Sequence, residues 1–237
     1  PDATHLDLHK LRIDRAMALE IIRIGVPAGL QGMAFSLSNV VVQSSINSFG
    51  SSVIVAGNSA SNNIENFVYI GMSAFTQACI TFTSQNVGAQ NLKRVKSIFN
   101  HSMVLTTLSA MLMGFLVWFF GESLLAFYTS DPAVVEAGML RLFWVSMFLF
   151  LNGILDVFVS SLRGMGYSSL PTIVMLVGIC GVRLLWLLLI FPMHRTLTTI
   201  YLCFPLSWTV TSIVLGFIWL YCYRHMLRTN GQQAQNA

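Results

Sequence analysis

Two carboxylates sit deep in apolar sequence, Glu65 in the run SASNNIENFVYIGM and Asp156 in the run LNGILDVF. A spanning helix crosses the ~30 Å hydrocarbon core with about 20 residues, and an ionisable group near its middle is costly unless it faces a bundle interior or a water-filled path. The chemistry open to such a group is charge exchange, because a carboxylate in low dielectric can be neutralised in turn by a proton, a metal cation or a cationic solute. Around Glu65, helical spacing puts Asn58, Asn62 and Tyr69 close to one stripe, with Asn63 and Asn66 beside it. This polar side either lines a solute or ion pathway or makes a hydrogen-bonded contact between buried helices. Asn152 and Asp156, four residues apart, share a second face. The candidate pathway residues are therefore Glu65, Asp156, Asn152, Asn62, Asn58 and Tyr69. Arg183 is the expected charge partner of Asp156 or Glu65, contact with substrate being its alternative role. A transient sodium ion near Glu65 or Asp156 is compatible with this reading, whereas a resident metal is not expected. Cys79, Cys180, Cys203 and Cys222 form no CxxC pair and have no clustered His, and read as small buried hydrophobes.

The elements that must carry these groups are legible from composition. Of the 237 residues, 55% are hydrophobic and 9% charged, and the mean hydropathy is +0.69; soluble domains carry about 25% charged residues. The apolar residues come in blocks of roughly 20 to 25, as in a helical bundle, without the alternation of an outer-membrane barrel. The expected class is an all-α integral membrane protein with six transmembrane helices, at about 24–48, 53–87, 97–120, 137–161, 170–192 and 197–223. Residues 1–23 read as a cytoplasmic amphipathic lead-in and 224–237 as a polar, disordered cytoplasmic tail. In the first span, Gly25, Gly29 and Gly32 suit close helix packing, and its polar residues imply protein or water on most sides. The stretch 121–136 is too polar to span, and Ser130-Asp131-Pro132 reads as a turn followed by a helix start. The chain opens without Met in a charged stretch, as an internal piece of a longer polypeptide would.

Charge sets orientation. The net charge is +4, but the basic residues lie at the ends of apolar blocks, so topology explains them and no nucleic-acid partner is expected. Ten of the 13 Lys and Arg residues fall on one side if both ends are cytoplasmic, leaving Arg195 outside, Arg141 near the outer end of span four and Arg183 within span five. This makes a multi-pass protein of the cell membrane with both ends inside. Enzyme signatures are lacking: there is no Gly-x-Ser-x-Gly, Gly-Lys-Ser/Thr or His-Glu-x-x-His, and His5, His9, His194 and His225 are terminal or in loops, with His101 at an interface. No catalytic residue and no cofactor is expected.

With these residues in hand, the chain resembles the C-terminal six-helix lobe of the multidrug and toxic compound extrusion (MATE) family. The resemblance rests on Thr81-Phe82-Thr83-Ser84-Gln85-Asn86-Val87-Gly88-Ala89 and on Ser161-Leu162-Arg163-Gly164-Met165-Gly166-Tyr167, which is similar to the family's Leu-Arg-Gly-x-Gly signature. It implies a twelve-helix protein of two six-helix lobes, an absent N-terminal lobe joined through 1–23, and export of small organic, often cationic compounds in exchange for Na+ or H+. Family members carry acids where this chain has Phe35 and Asn152, so Glu65 and Asp156 substitute for that pair or coupling lies in the other lobe. Two alternatives remain. A lipid-linked oligosaccharide flippase or polysaccharide exporter of the same superfamily would show cavity Arg and Lys for phosphate, and a membrane enzyme or scaffold would need a catalytic constellation.

Overall fold

Local capping starts each rod where a polar side chain can satisfy free N–H groups. In the computed structural model, which describes residues 14–235, the Asp14 carboxylate accepts from Ala16 N at 2.8 Å and opens α1, Arg15–Asn47. Ser51 caps α2, Ser52–Gly88, and Asn91 caps α3, Leu92–Phe119. After the short α4, Gly121–Ala126, Asp131 accepts from Ala133 N at 2.9 Å and Pro132 begins α5, Pro132–Ser146. Residues 147–148 join α5 to α6, Leu149–Gly164, as one 33-residue rod. A fifth rod comprises α7, Ser169–Met175, a π-helical segment, Leu176–Gly181, and α8, Val182–Leu189, and the sixth is α9, Leu197–Gln235.

The described residues thus form six helical rods, as expected of an all-α membrane protein. Four of them, Leu92–Phe119, Pro132–Gly164, Ser169–Leu189 and Leu197–Arg228, are long and apolar enough to cross a bilayer. α1 and α2, at 33 and 37 residues, have the length, and the polar residues on them face a cavity described below. α2 packs on α3, α5 and α6, while α1 leans mainly on the α7–α8 rod. The main core joins α2, α3, α6 and α9, with Val68, Val95, Leu155 and Leu215 almost fully enclosed. Large apolar side chains such as Leu108, Leu112, Ile213 and Phe217 point outward, as a lipid-facing surface requires.

Glycines set the closest approaches. A Cβ at Gly57 would lie 2.7 Å from Val134 O and 2.8 Å from Gly138 N, so α2 meets α5 backbone to backbone. Ser61 Oγ, 2.9 Å from Gly138 O, ties the same crossing. Gly57→Val is expected to lower stability by about 1–3 kcal/mol, the usual penalty of overpacking, which a melting series in detergent would measure. The Leu-Arg-Gly-x-Gly run ends α6: Gly164 fits against Thr83, Gly166 takes φ +93°, and Tyr167 N donates to Leu162 O at 3.0 Å.

Three expectations change. Nothing lies within 4 Å of a Cβ built at Gly25, Gly29 or Gly32, so these glycines serve no packing inside this lobe. The tail beyond Arg224 is helical to Gln235, because its Leu, Arg, Gln and Ala residues favour continuing α9. The lead-in, expected as a separate amphipathic helix over 1–23, is helical from Arg15 but runs unbroken into the first span, and residues 1–13 lie outside the described residues.

Candidate functional site

The polar side of α2 faces a partly open cleft of about 1180 Å³, walled otherwise by α1, the α5–α6 rod, the α7–α8 rod and α9. Asn58, Asn62, Glu65 and Tyr69 all line it, as do Asn152, Asp156 and Arg183. All the sequence-derived pathway residues therefore border one cavity, but their charge pairing differs from expectation.

Glu65 is held by Arg141 and not by Arg183. Arg141 Nη2 lies 2.7 Å from Glu65 Oε2 and Nε 3.1 Å from Oε1, a two-pronged pair with both residues buried. The same guanidinium donates to Asn58 Oδ1 at 2.6 Å and to Asn62 Oδ1 at 3.0 Å, and Asn58 Nδ2 donates to Gln43 Oε1 at 2.9 Å. The asparagine stripe thus serves as the hydrogen-bonding shell of a buried cation. A helix start at residue 137 would place Arg141 near the outer end of its span. With Pro132 as the first helical residue, nine positions and roughly 13 Å separate Arg141 from the helix start, close to mid-depth. The Asp131-Pro132 start signal already contained that depth.

Asp156 has a different environment. Asn152 Nδ2 donates to Asp156 Oδ2 at 3.3 Å, and the Tyr69 hydroxyl and Arg163 are near enough to interact with the same carboxylate. Asp156 is half-buried, and Tyr69 is exposed to the cleft. On α2, Tyr69 follows Glu65 by one turn, so the Asp156 cluster lies about 6 Å along the axis from the Glu65 pair.

Arg183 makes no ion pair with a described carboxylate. Its Nε donates to Ser207 Oγ at 3.2 Å and its Nη1 contacts Asn39 Oδ1 at 3.4 Å, while its guanidinium stacks on the Phe204 ring at 4.3 Å and lies 6.0 Å from Trp208. The pairing with Asp156 or Glu65 fails because Arg141 reaches Glu65 first, and because Asp156 faces Tyr69 and Arg163. Ser207, Phe204 and Trp208 were not singled out by the sequence, since an aromatic on an apolar helix carries no mark of facing a cavity.

The MatE family model matches residues 27–188, more than half of the chain. The chain belongs to the MatE family. Among curated MatE relatives, it is 26% identical over 165 residues to the probable multidrug resistance protein NorM of Thermotoga maritima, an alignment covering 70% of this chain and 35% of that one. It is 28% identical over 128 residues to the probable multidrug resistance protein YpnP of Bacillus subtilis, covering 54% and 28%. Its fold is similar to an outward-facing multidrug resistance MATE family transporter of the MOP superfamily, with a TM-score of 0.80, 15% identity, and 94% of this chain and 50% of that one covered. It is equally similar to a MOP superfamily transporter from Pyrococcus furiosus, with a TM-score of 0.80, 15% identity, and 93% and 49% covered. This MatE chain therefore spans about a third of those curated relatives and half of the solved transporters. It is a multi-pass membrane protein. Phe35 and Asn152 both border the cleft, and Asp156 lies one turn beyond Asn152.

Proposed function

We propose that this lobe is half of an ion-coupled efflux transporter of the cell membrane, not an enzyme, which exports small organic, often cationic compounds in exchange for Na+ or H+. The observation that carries the reading is a large polar cleft, bordered by spanning helices, with an acid on its wall, Asp156, that Asn152 hydrogen-bonds. A second six-helix lobe would close the cleft, and rocking of the two lobes would expose it alternately to each side. The basic-residue distribution supports cytoplasmic ends. Exchange is assigned to Asp156, because Glu65 is neutralised by Arg141. The three cleft arginines lend some support to a carrier of lipid-linked phosphate. Arg141 is matched by Glu65 and Arg163 lies beside Asp156, so they do not form the cation cluster a diphosphate needs, and efflux takes precedence.

The test is ethidium export by the full-length protein in a drug-sensitive host. Cells are expected to hold several-fold less dye than controls, and the difference should vanish when both the Na+ and H+ gradients are collapsed. Accumulation equal to that of controls, or export indifferent to both gradients, would overturn the reading.

A further inference from the structure

Among the described residues, the charges around the cleft do not balance. It is bordered by Glu65 and Asp156 against Arg141, Arg163 and Arg183. Arg141 is paired with Glu65, and Arg163 interacts with Asp156, which leaves the Arg183 charge without a described carboxylate to offset it. Arg183 is only 3% exposed. Ser207, its partner, lies ten residues into α9, roughly 15 Å along the helix and about half the hydrocarbon thickness. A buried cation at that depth is expensive to keep without a counter-charge.

The site is nevertheless built. A guanidinium has five N–H donors, and Ser207 and Asn39 engage one nitrogen each, Nε and Nη1. Nη2 has no partner among the described residues. The Phe204 ring supports one face of the guanidinium plane and fixes its orientation. This leaves a fork of N–H groups, on a residue bordering the cleft, whose geometry fits the two oxygens of a carboxylate or the oxygens of a phosphate. Phe204 and Trp208, also on the cleft wall, supply an apolar surface for a ring system.

Building on the efflux reading, we propose that Arg183 is the anion-recognition residue of the cleft, and that the favoured cargo is a zwitterionic amphiphile. Its oxyanion sits on the Arg183 fork, its aromatic body rests on Phe204 and Trp208, and its cation faces Asp156. The oxyanion of such a cargo supplies the counter-charge that Arg183 lacks among the described residues, whereas a simple cation leaves Arg183 uncompensated.

Rhodamine B and its ethyl ester form a matched probe pair, sharing one xanthene cation and differing in the free carboxylate. With the full-length protein in proteoliposomes, the wild type is expected to transport rhodamine B with a KM about tenfold below that of the ester. Arg183→Gln should cut the rhodamine B to ester rate ratio at least tenfold, and Arg183→Lys, which keeps the charge but loses the fork, should give an intermediate ratio. Equal KM values in the wild type, a comparison that needs no variant to fold, would overturn the proposal, as would an unchanged ratio in Arg183→Gln. If the wild type moves neither dye, the efflux reading falls and this one with it; if it moves the ester but shows no Arg183-dependent selectivity, only the anion site falls. Replacing most of the phosphatidylcholine with a phosphate-free galactolipid separates two sources of the oxyanion. A rise in rhodamine B transport that is absent in Arg183→Gln assigns the site to a lipid phosphate, and indifference to the lipid alongside the expected ratio assigns it to the cargo's own carboxylate.

Discussion

Glu65→Gln is expected to lower the stability of this lobe by about 3–5 kcal/mol, the cost of leaving a buried ion without its partner. Arg141 would keep its bonds to Asn58 and Asn62, at 2.6 and 3.0 Å, but would lose the charge that compensates it. The two single substitutions should not cost the same. An orphaned carboxylate can take up a proton, while an orphaned guanidinium cannot shed one at any ordinary pH. Arg141→Gln should therefore be milder than Glu65→Gln, and the double variant milder than the sum of the singles by about 2–3 kcal/mol. Thermal melting of the four proteins in detergent, read with membrane abundance, closes the cycle. Additive losses would show that the 2.7 Å pair contributes no coupling and that Glu65 is available for another role.

The sequence carried much of this site because the relevant information was local. Asn58, Asn62, Glu65 and Tyr69 recur at helical spacing, so any α-helix through them must present one polar side, and the structure turns that side to the cleft. Asn152 and Asp156 were paired by the same rule, and their 3.3 Å contact follows from it. The identity of Glu65's partner was not local. Arg141 and Arg183 are both single cations in apolar helices, and choosing between them depends on how closely α5 approaches α2. That approach is set by Gly57 meeting the backbone of Val134 and Gly138, a tertiary fact no periodicity encodes. The block pattern marks α1 and α2 as spans despite their polar residues, but it does not distinguish a lipid-facing side from one that faces a cleft.

Asp156→Asn separates transport from stability and should have the largest effect on function. The substitution keeps side-chain size, and the amide can still hydrogen-bond with Asn152 and with the Tyr69 hydroxyl, so membrane abundance should stay close to that of the wild type. It removes the ability to hold a negative charge that a coupling ion and a cationic cargo can each neutralise. If exchange proceeds by competition for that charge, ion and dye can no longer displace one another, and export of ethidium by the full-length protein should fall at least tenfold. In the wild type, the same competition requires Na+ or H+ on the dye-loading side to raise the apparent KM for dye, a dependence that should be lost in Asp156→Asn. Full export by Asp156→Asn at normal abundance would remove this carboxylate from the coupling step. The contrast with Glu65→Gln is the diagnostic part: loss of Asp156 should show in transport at constant abundance and loss of Glu65 in folding, because Glu65 faces a guanidinium fork at 2.7 Å and Asp156 an amide, a phenol and the Arg163 charge.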